Sequence, residues 1–272
     1  VRLLLQPFSE YLPKYYFHLV KDEIIPLVDC QESWGSTPDG IIAMLKSQGD
    51  IAAKQFSGTS GKGFFKLSYR DHYFRINDEQ VAEQEILDFL GNLMLNDEGG
   101  YLLSEYIRPC KELSRIWPKT ANALRLYILR EKGMLPKVFL ASIRFGTEKT
   151  GSIDNTNAGG VTCIVDLHNG HFYDGWIHEK FKQIRSPFHP DSKVLEAGTI
   201  PHWEMINNKI TEICAYVPQF VFLSFDIVVT DDSFKIIEIN SHGTIGYKQG
   251  YIRLLKDEVT RDFFNDQLKR IR

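Results

Sequence analysis

The sequence predicts an α+β protein in two lobes, with antiparallel sheets in each and a break near residue 108. Three observations predict it. Short alternating runs are separated by turn residues, amphipathic helices stand between them, and the chain becomes strand-rich behind the break. The smaller part is therefore read as 1–108 and the larger as 109–272.

In chain order, the first fifty residues mix aromatics with turn signals, among them Trp34-Gly35-Ser36 and Pro38-Asp39-Gly40, and 41–46 is expected to be a short helix. The apolar run 51–54 leads into the glycine cluster 58–63, after which 64–67 and 72–76 alternate as strands. Residues 79–95 put Val81, Ile86, Leu90 and Leu93 on one helical face, and 101–107 is a further strand ended by Arg108-Pro109. Residues 122–130 and 137–145 then read as an antiparallel pair, and 161–167 as a strand followed by the turn His168-Asn169-Gly170. Pro201 is expected to open a helix with Trp203, Ile206, Ile210, Ile213 and Val217 on one face. Strands at 221–230 and 234–240 flank Asp231-Asp232-Ser233, and a charged helix begins near Leu255.

With 272 residues, 43% hydrophobic and 25% charged, the chain can bury a sizeable core and fits two lobes sharing a cleft. A net charge of −3 gives no reason to expect an electrostatic grip on nucleic acid or an acidic membrane. No apolar run approaches the roughly 20 residues of a membrane helix. Cys30, Cys110, Cys163 and Cys214 lie far apart, which suits free thiols in a reducing cytoplasm better than zinc or redox chemistry. Val1 in place of Met reads as a fragment, and the opening Val-Arg-Leu-Leu-Leu is too short for a signal peptide's apolar region.

The most informative residues are Asp226, Glu238 and Asn240. If 231–233 is a three-residue loop, Thr230 pairs with Phe234 and Asp226 faces Glu238, while Asn240 shares the face of Glu238. Facing carboxylates repel, so an otherwise apolar hairpin needs a counter-charge there. Mg²⁺, completed by phosphates and water, is the natural one, against the plainer reading of a merely acidic solvated face. Upstream, Gly58-Thr59-Ser60-Gly61-Lys62-Gly63 offers close backbone approach to phosphates, with Lys62 as a point charge, though it is no Walker A loop because Phe56 and Gly63 occupy the required positions. Lys54, interrupting an apolar strand, calls for an anionic partner. Arg125 and Arg144 fall at one end of a hairpin, and Asp154-Asn155 reads equally as a turn.

Together, the strand lysine, the glycine loop, the hinge strand and the distant Asp followed by Glu-x-Asn resemble the ATP-grasp superfamily. Asn122-Ala123-Leu124-Arg125, Arg144-Phe145-Gly146, Asp154-Asn155, Gly159-Gly160 and Phe225-Asp226-Ile227 are similar to its sugar-transfer-associated branch, related to α-L-glutamate-ligase-like and teichuronopeptide-synthesis proteins. The resemblance runs from about Lys54 to Asn240 and implies two α+β lobes enclosing a nucleotide cleft. It implies ATP phosphates on Lys54, Gly58, Ser60, Gly61 and Lys62, and adenine on the hinge Glu105, Tyr106 and Ile107, with Glu112 as ribose partner. It also implies Mg²⁺ on Asp226, Glu238 and Asn240, phosphoryl stabilisation by Arg125 and Arg144, and an acceptor facing Asp154, Asn155, Asn157, Gly159 and Gly160. Ser104 stands where the family often carries a Glu, and Gln55 where Pro often follows the lysine.

The implied activity is ATP-dependent ligation of a small-molecule or glycan-linked carboxylate to an amine through an acyl phosphate, in association with glycan-synthesis enzymes. Two other readings share the site: a small-molecule or sugar kinase of the same fold, and a non-catalytic nucleotide-binding partner of a glycosyltransferase.

Overall fold

The structure, a computed structural model, describes residues 2–271 apart from 22, 59, 60, 62, 96–98, 132, 180, 181, 195, 196, 242, 244 and 246–252. It divides into two compact units: Pro13–Ile107, and residues 1–12 together with 108–272.

The unit Pro13–Ile107 is built on β1 (Tyr15–Val20), β2 (Glu23–Pro26), β3 (Asp50–Gln55), β4 (Phe64–Arg70), β5 (Tyr73–Ile76), β6 (Glu79–Val81) and β7 (Tyr101–Glu105). These form one antiparallel sheet in the order β2-β1-β7-β3-β4-β5-β6. Helices α1 (Pro38–Gln48) and α2 (Glu83–Leu95) join Ile41, Met44, Leu45, Ile86 and Leu90 to Ile51, Ala53, Leu67 and Leu103 in one buried cluster. Alternate residues of the central strands, Ala52, Lys54, Lys66 and Ser104, therefore take the opposite face.

Helix α1 starts three residues earlier than the sequence suggests. Pro38-Asp39-Gly40 has turn chemistry, but Thr37 Oγ1 accepts from Gly40 N at 3.1 Å and caps a helix with Pro38 in its first turn. Gly40 is needed there because a Cβ would stand 1.9 Å from the Trp34 carbonyl oxygen. Residues 79–81 likewise leave the expected helix: Asn77, at φ 55°, turns the chain so that β6 pairs with β5.

The second unit carries α3 (Lys111–Ser114), then β8 (Leu124–Leu129), β9 (Lys137–Phe145), β10 (Val161–Val165), β11 (His171–Glu179), β12 (Lys182–Arg185) and β13 (Gly198–Thr199). Helix α4 (Trp203–Tyr216), the hairpin β14 (Phe222–Val229) and β15 (Phe234–Asn240), and α5 (Glu258–Ile271) follow. Its sheet runs β12-β11-β10-β9-β8-β14-β15, with β13 on β11. Trp203, Ile206, Ile210 and Ile213 of α4 bury against Leu124, Leu126, Ile143, Phe145, Val161, Phe225 and Ile227. Pro201 precedes α4 by a turn, and His202 at φ 57° stands at its N-cap.

The first twelve residues group with this unit rather than with the strands that follow them. Leu5, Phe8 and Leu12 join its core, Tyr11 stacks on Phe234 at 4.8 Å, and Lys235 Nζ donates to the Glu10 carbonyl at 2.8 Å.

Candidate active site

With one face of the second sheet closed by α4, the alternate residues of its strands share the other: Arg125, Ser142, Arg144, Thr162, Ser224 and Asp226. The register sets them in a row. Thr162 pairs with Arg144 across β10 and β9, Arg125 with Ser142 across β8 and β9, and Asp226 with Arg125 across β14 and β8.

At the hairpin, Asp226 faces Glu238 and Ser224 faces Asn240, as the loop count predicts, but by a different route. The register at the turn differs by one residue from the count: Val229, not Thr230, pairs with Phe234, and Thr230 N donates to the Ser233 carbonyl at 2.9 Å. A bulge between Asp226 and Ile227 then restores the Asp226–Glu238 pairing. Asp226 is buried, Glu238 exposed and Asn240 in between.

Asp226 meets both arginines. Its Oδ1 accepts from Arg125 Nε, and its Oδ2 accepts from Arg125 Nη2 and, at 3.0 Å, from Arg144 Nη2. Burial pushes its carboxyl up, and the Arg144 and Arg125 guanidiniums outweigh that, holding it at about 2. Arg144 Nη2 also lies 3.3 Å from Asp154 Oδ1, while Asp154 Oδ2 accepts from Ala123 N at 2.6 Å. Asp154 thus fixes both Arg144 and the entry to β8.

The 154–160 loop is held largely by itself. Asn155 Oδ1 accepts from Asn157 N at 2.8 Å, and Thr156 Oγ1 meets Thr162 Oγ1 at 2.8 Å. Gly159 sits at φ 106°, and a Cβ on Gly160 would stand 2.9 Å from the Asn155 carbonyl. Asn157 is exposed and Asp154 buried. Asn122, at φ 50°, donates from Nδ2 to the carbonyls of Trp117 at 2.6 Å and Leu113 at 3.3 Å, which sets the approach to Arg125.

In the other unit, Lys54 pairs with Phe64 and Leu102 and is half-buried. Gly58 N donates to the Gln55 carbonyl at 3.3 Å and Gly61 takes φ 74°, while Ser60 and Lys62 lie outside the described residues. Glu105 is tied to Lys14: its N donates to the Lys14 carbonyl at 2.8 Å and its Oε2 accepts from Lys14 N at 3.1 Å. Tyr106 lies 5.2 Å beneath Lys66 Nζ, and Ile107 is buried. Glu112 is exposed on α3, in the second unit.

Ser142 and Thr162 were not singled out by the sequence, although a Ser two residues before Arg144 in an apolar strand is a period-two signal for a polar face. His189 proves to be a core histidine. It is fully buried, stacks on Trp117 at 4.7 Å, and its Nε2 meets the Gly146 carbonyl at 2.7 Å.

Asp226, Glu238 and Asn240 all present oxygen, and Asp226 is ionised, a donor set that fits a hard divalent cation. Among the described residues no three of His, Cys, Asp and Glu gather to hold a metal, so such an ion would rest on two carboxylates and an amide. No helix among the described residues is long and apolar enough to cross a membrane.

The family model for sugar-transfer associated ATP-grasp matches residues 22–252. D-alanine–D-alanine ligase from Bacillus anthracis superposes with a TM-score of 0.50 at 12% identity, over 99% of this chain and 66% of that one. L-amino acid ligase from Bacillus licheniformis gives 0.45 at 11% identity, over 92% and 40%. D-alanyl-alanine synthetase A from Vibrio cholerae gives 0.45 at 13%, over 87% and 53%. The chain thus spans from 40% to 66% of the length of these three enzymes. No curated protein matches it.

Proposed function

The chain belongs to the sugar-transfer associated ATP-grasp family, has the ATP-grasp fold, and from that premise we propose that it is an ATP- and Mg²⁺-dependent carboxylate–amine ligase. The observation that carries this reading is the row of Arg144, Arg125, Asp226 and Glu238 on one face of the second sheet. Two guanidiniums beside paired carboxylates suit a reaction in which charge must be neutralised and groups positioned, with little acid–base work.

Lys54 and the 58–63 loop would take the α- and β-phosphates, and the backbone of Tyr106 and Ile107 the adenine. Glu105 contributes through its grip on Lys14. Glu112 is assigned to the ribose. Arg125 and Arg144 would receive the γ-phosphoryl group, where planar forks of donors match spreading phosphoryl charge. Asp226, Glu238 and Asn240 would hold Mg²⁺, which supplies Lewis-acid neutralisation of the phosphates when bound. An oxygen of the substrate carboxylate bonds to the γ-phosphorus as the bond to ADP breaks. The amine nitrogen then bonds to the acyl carbon, phosphate leaves with the C–O electron pair, and the amine's surplus proton goes to solvent.

The acceptor would be a sugar- or glycan-linked carboxylate or an amino acid; the family's description, sugar-transfer associated, supports only the sugar side of that reading. It would meet Asn157 and the glycine backbone at 159–160, with Asp154 and Asn155 setting their positions. Association with glycan-synthesis enzymes and a cytoplasmic setting belong to the same proposal.

The test is release of ADP and phosphate across a panel of sugar acids and amino acids, each with and without an amine. The ligase reading expects free phosphate only when both partners are present. ADP release with phosphate retained on the acceptor would overturn it in favour of a kinase. Arg144→Met should lower kcat by about 100-fold or more, the loss typical of one donor to a developing charge.

A further inference from the structure

The ion pairs at Asp226 have a consequence for how a cation enters. Three donors, two from Arg125 and one from Arg144, occupy its two oxygens. A carboxylate has about four acceptor positions, so Oδ1 keeps one, beside the Arg125 Nε–H. A divalent ion at that position would sit against two guanidiniums. Among the described residues of this cluster the charges would then be four positive, from the ion and the two arginines, against three negative from Asp226, Asp154 and Glu238. A polyphosphate reverses that balance, because its oxygens give the guanidiniums new partners and the ion further ligands.

We propose that the Arg125–Asp226–Arg144 cluster makes divalent-cation binding conditional on the nucleotide: the arginines hold Asp226 away from the metal until phosphate takes them over. The inference rests on the nucleotide-site reading above. Arg144 is also held by Asp154, whereas Arg125 grips both oxygens of Asp226, so Arg125 is the guanidinium whose release opens the carboxylate to a cation. Arg125 is thus a positioning residue for the cation as well as a ligand for phosphate.

The experiment is Mn²⁺ binding to the full chain without nucleotide, read from the electron paramagnetic resonance signal of the free ion. Wild type, Arg125→Met and Arg125→Gln are compared, the last keeping a hydrogen-bond donor for Asp226 without the charge. Both variants should bind Mn²⁺ at least about tenfold more tightly than wild type, and adding Glu238→Gln to either should abolish the gain. A merely structural arginine gives the opposite result, because removing it would loosen the site and weaken Mn²⁺ binding. Unchanged or weaker binding in a variant that keeps the wild-type circular dichroism spectrum overturns the proposal. Separately, calorimetry of wild type with the Mg²⁺ complex of a non-hydrolysable ATP analogue tests the underlying reading. No heat of binding there defeats the nucleotide site itself, whereas binding there with unaltered Mn²⁺ affinity defeats the latch alone.

Discussion

Asp226 is ionised in a dry setting, and its worth to the fold depends on both arginines. Replacing it with Asn strands two guanidiniums, which should cost about 3–5 kcal/mol in denaturant unfolding, the range seen when one partner of a buried pair is removed. The pH dependence has a definite sign. Its carboxyl lies at about 2 in the fold against an ordinary 3.8, so the unfolded chain binds the proton first as acid is added. The stabilisation is complete above pH 4 or so and drains away as pH falls towards 2; Asp226→Asn should lack that component. His189 behaves alike at higher pH. Burial holds its imidazole below the ordinary 6.5, and its Nδ1 accepts from the backbone N–H groups of Asp191 at 3.3 Å and Ser192 at 3.2 Å. Protonation breaks both bonds, so stability should fall as pH drops below about 6.5, and His189→Gln should flatten that limb of the profile. These residues also show what sequence could and could not convey. Counting across a three-residue loop puts Asp226 opposite Glu238. The true register at the turn is displaced by one residue and a bulge makes up the difference, a compensation with no mark in the residues themselves. The pairing of Asp226 with arginines from two other strands is a sheet-order effect, and sheet order is not written in any local pattern.

Elements were legible where periodicity and chemistry agreed. The β14–β15 hairpin, the β8–β9 pair and α4 all show an apolar face at the right period. Helix α1 was half legible, since Pro-Asp-Gly serves a turn as readily as a first helical turn, and only the Thr37 cap and the approach of Trp34 decide between them. Strands β1 and β2 escaped because Tyr15–Val20 is apolar almost throughout, without the alternation that marks a half-buried strand. At this scale Thr37→Ala should cost about 1 kcal/mol, the usual loss of an N-cap oxygen. Gly40→Ala should cost more than Thr37→Ala in the same unfolding measurement. Its Cβ meets backbone, which cannot step aside as a side chain would. Equal or smaller losses at Gly40 would mean that the loop before α1 shifts freely.

For the whole molecule, the chain starts in one unit, builds the other, and returns at Arg108, so the larger unit is closed by residues from both ends of that excursion. The opening segment carries real apolar weight there. Leu5 and Leu12 are each 1% exposed, Phe8 is 8% exposed and edge-on to Tyr216 at 5.5 Å, and Tyr11 covers Phe234. At about 1.5–3 kcal/mol for each fully buried large side chain, three such residues contribute a sum comparable with the 5–15 kcal/mol net stability of a typical domain. Pro13–Ile107, by contrast, has its own buried cluster with α1 and α2 on one face of a continuous sheet. Expressed separately, 13–107 should give a cooperative thermal transition by circular dichroism. The piece 108–272 should melt without cooperativity or fail to fold, and adding a peptide of residues 1–12 in trans should partly restore its transition. A cooperative melt of 108–272 alone, at a temperature matching the full chain, would show that the opening segment only decorates this core. In that case the entropy of ordering twelve residues would be cancelling what their side chains bury.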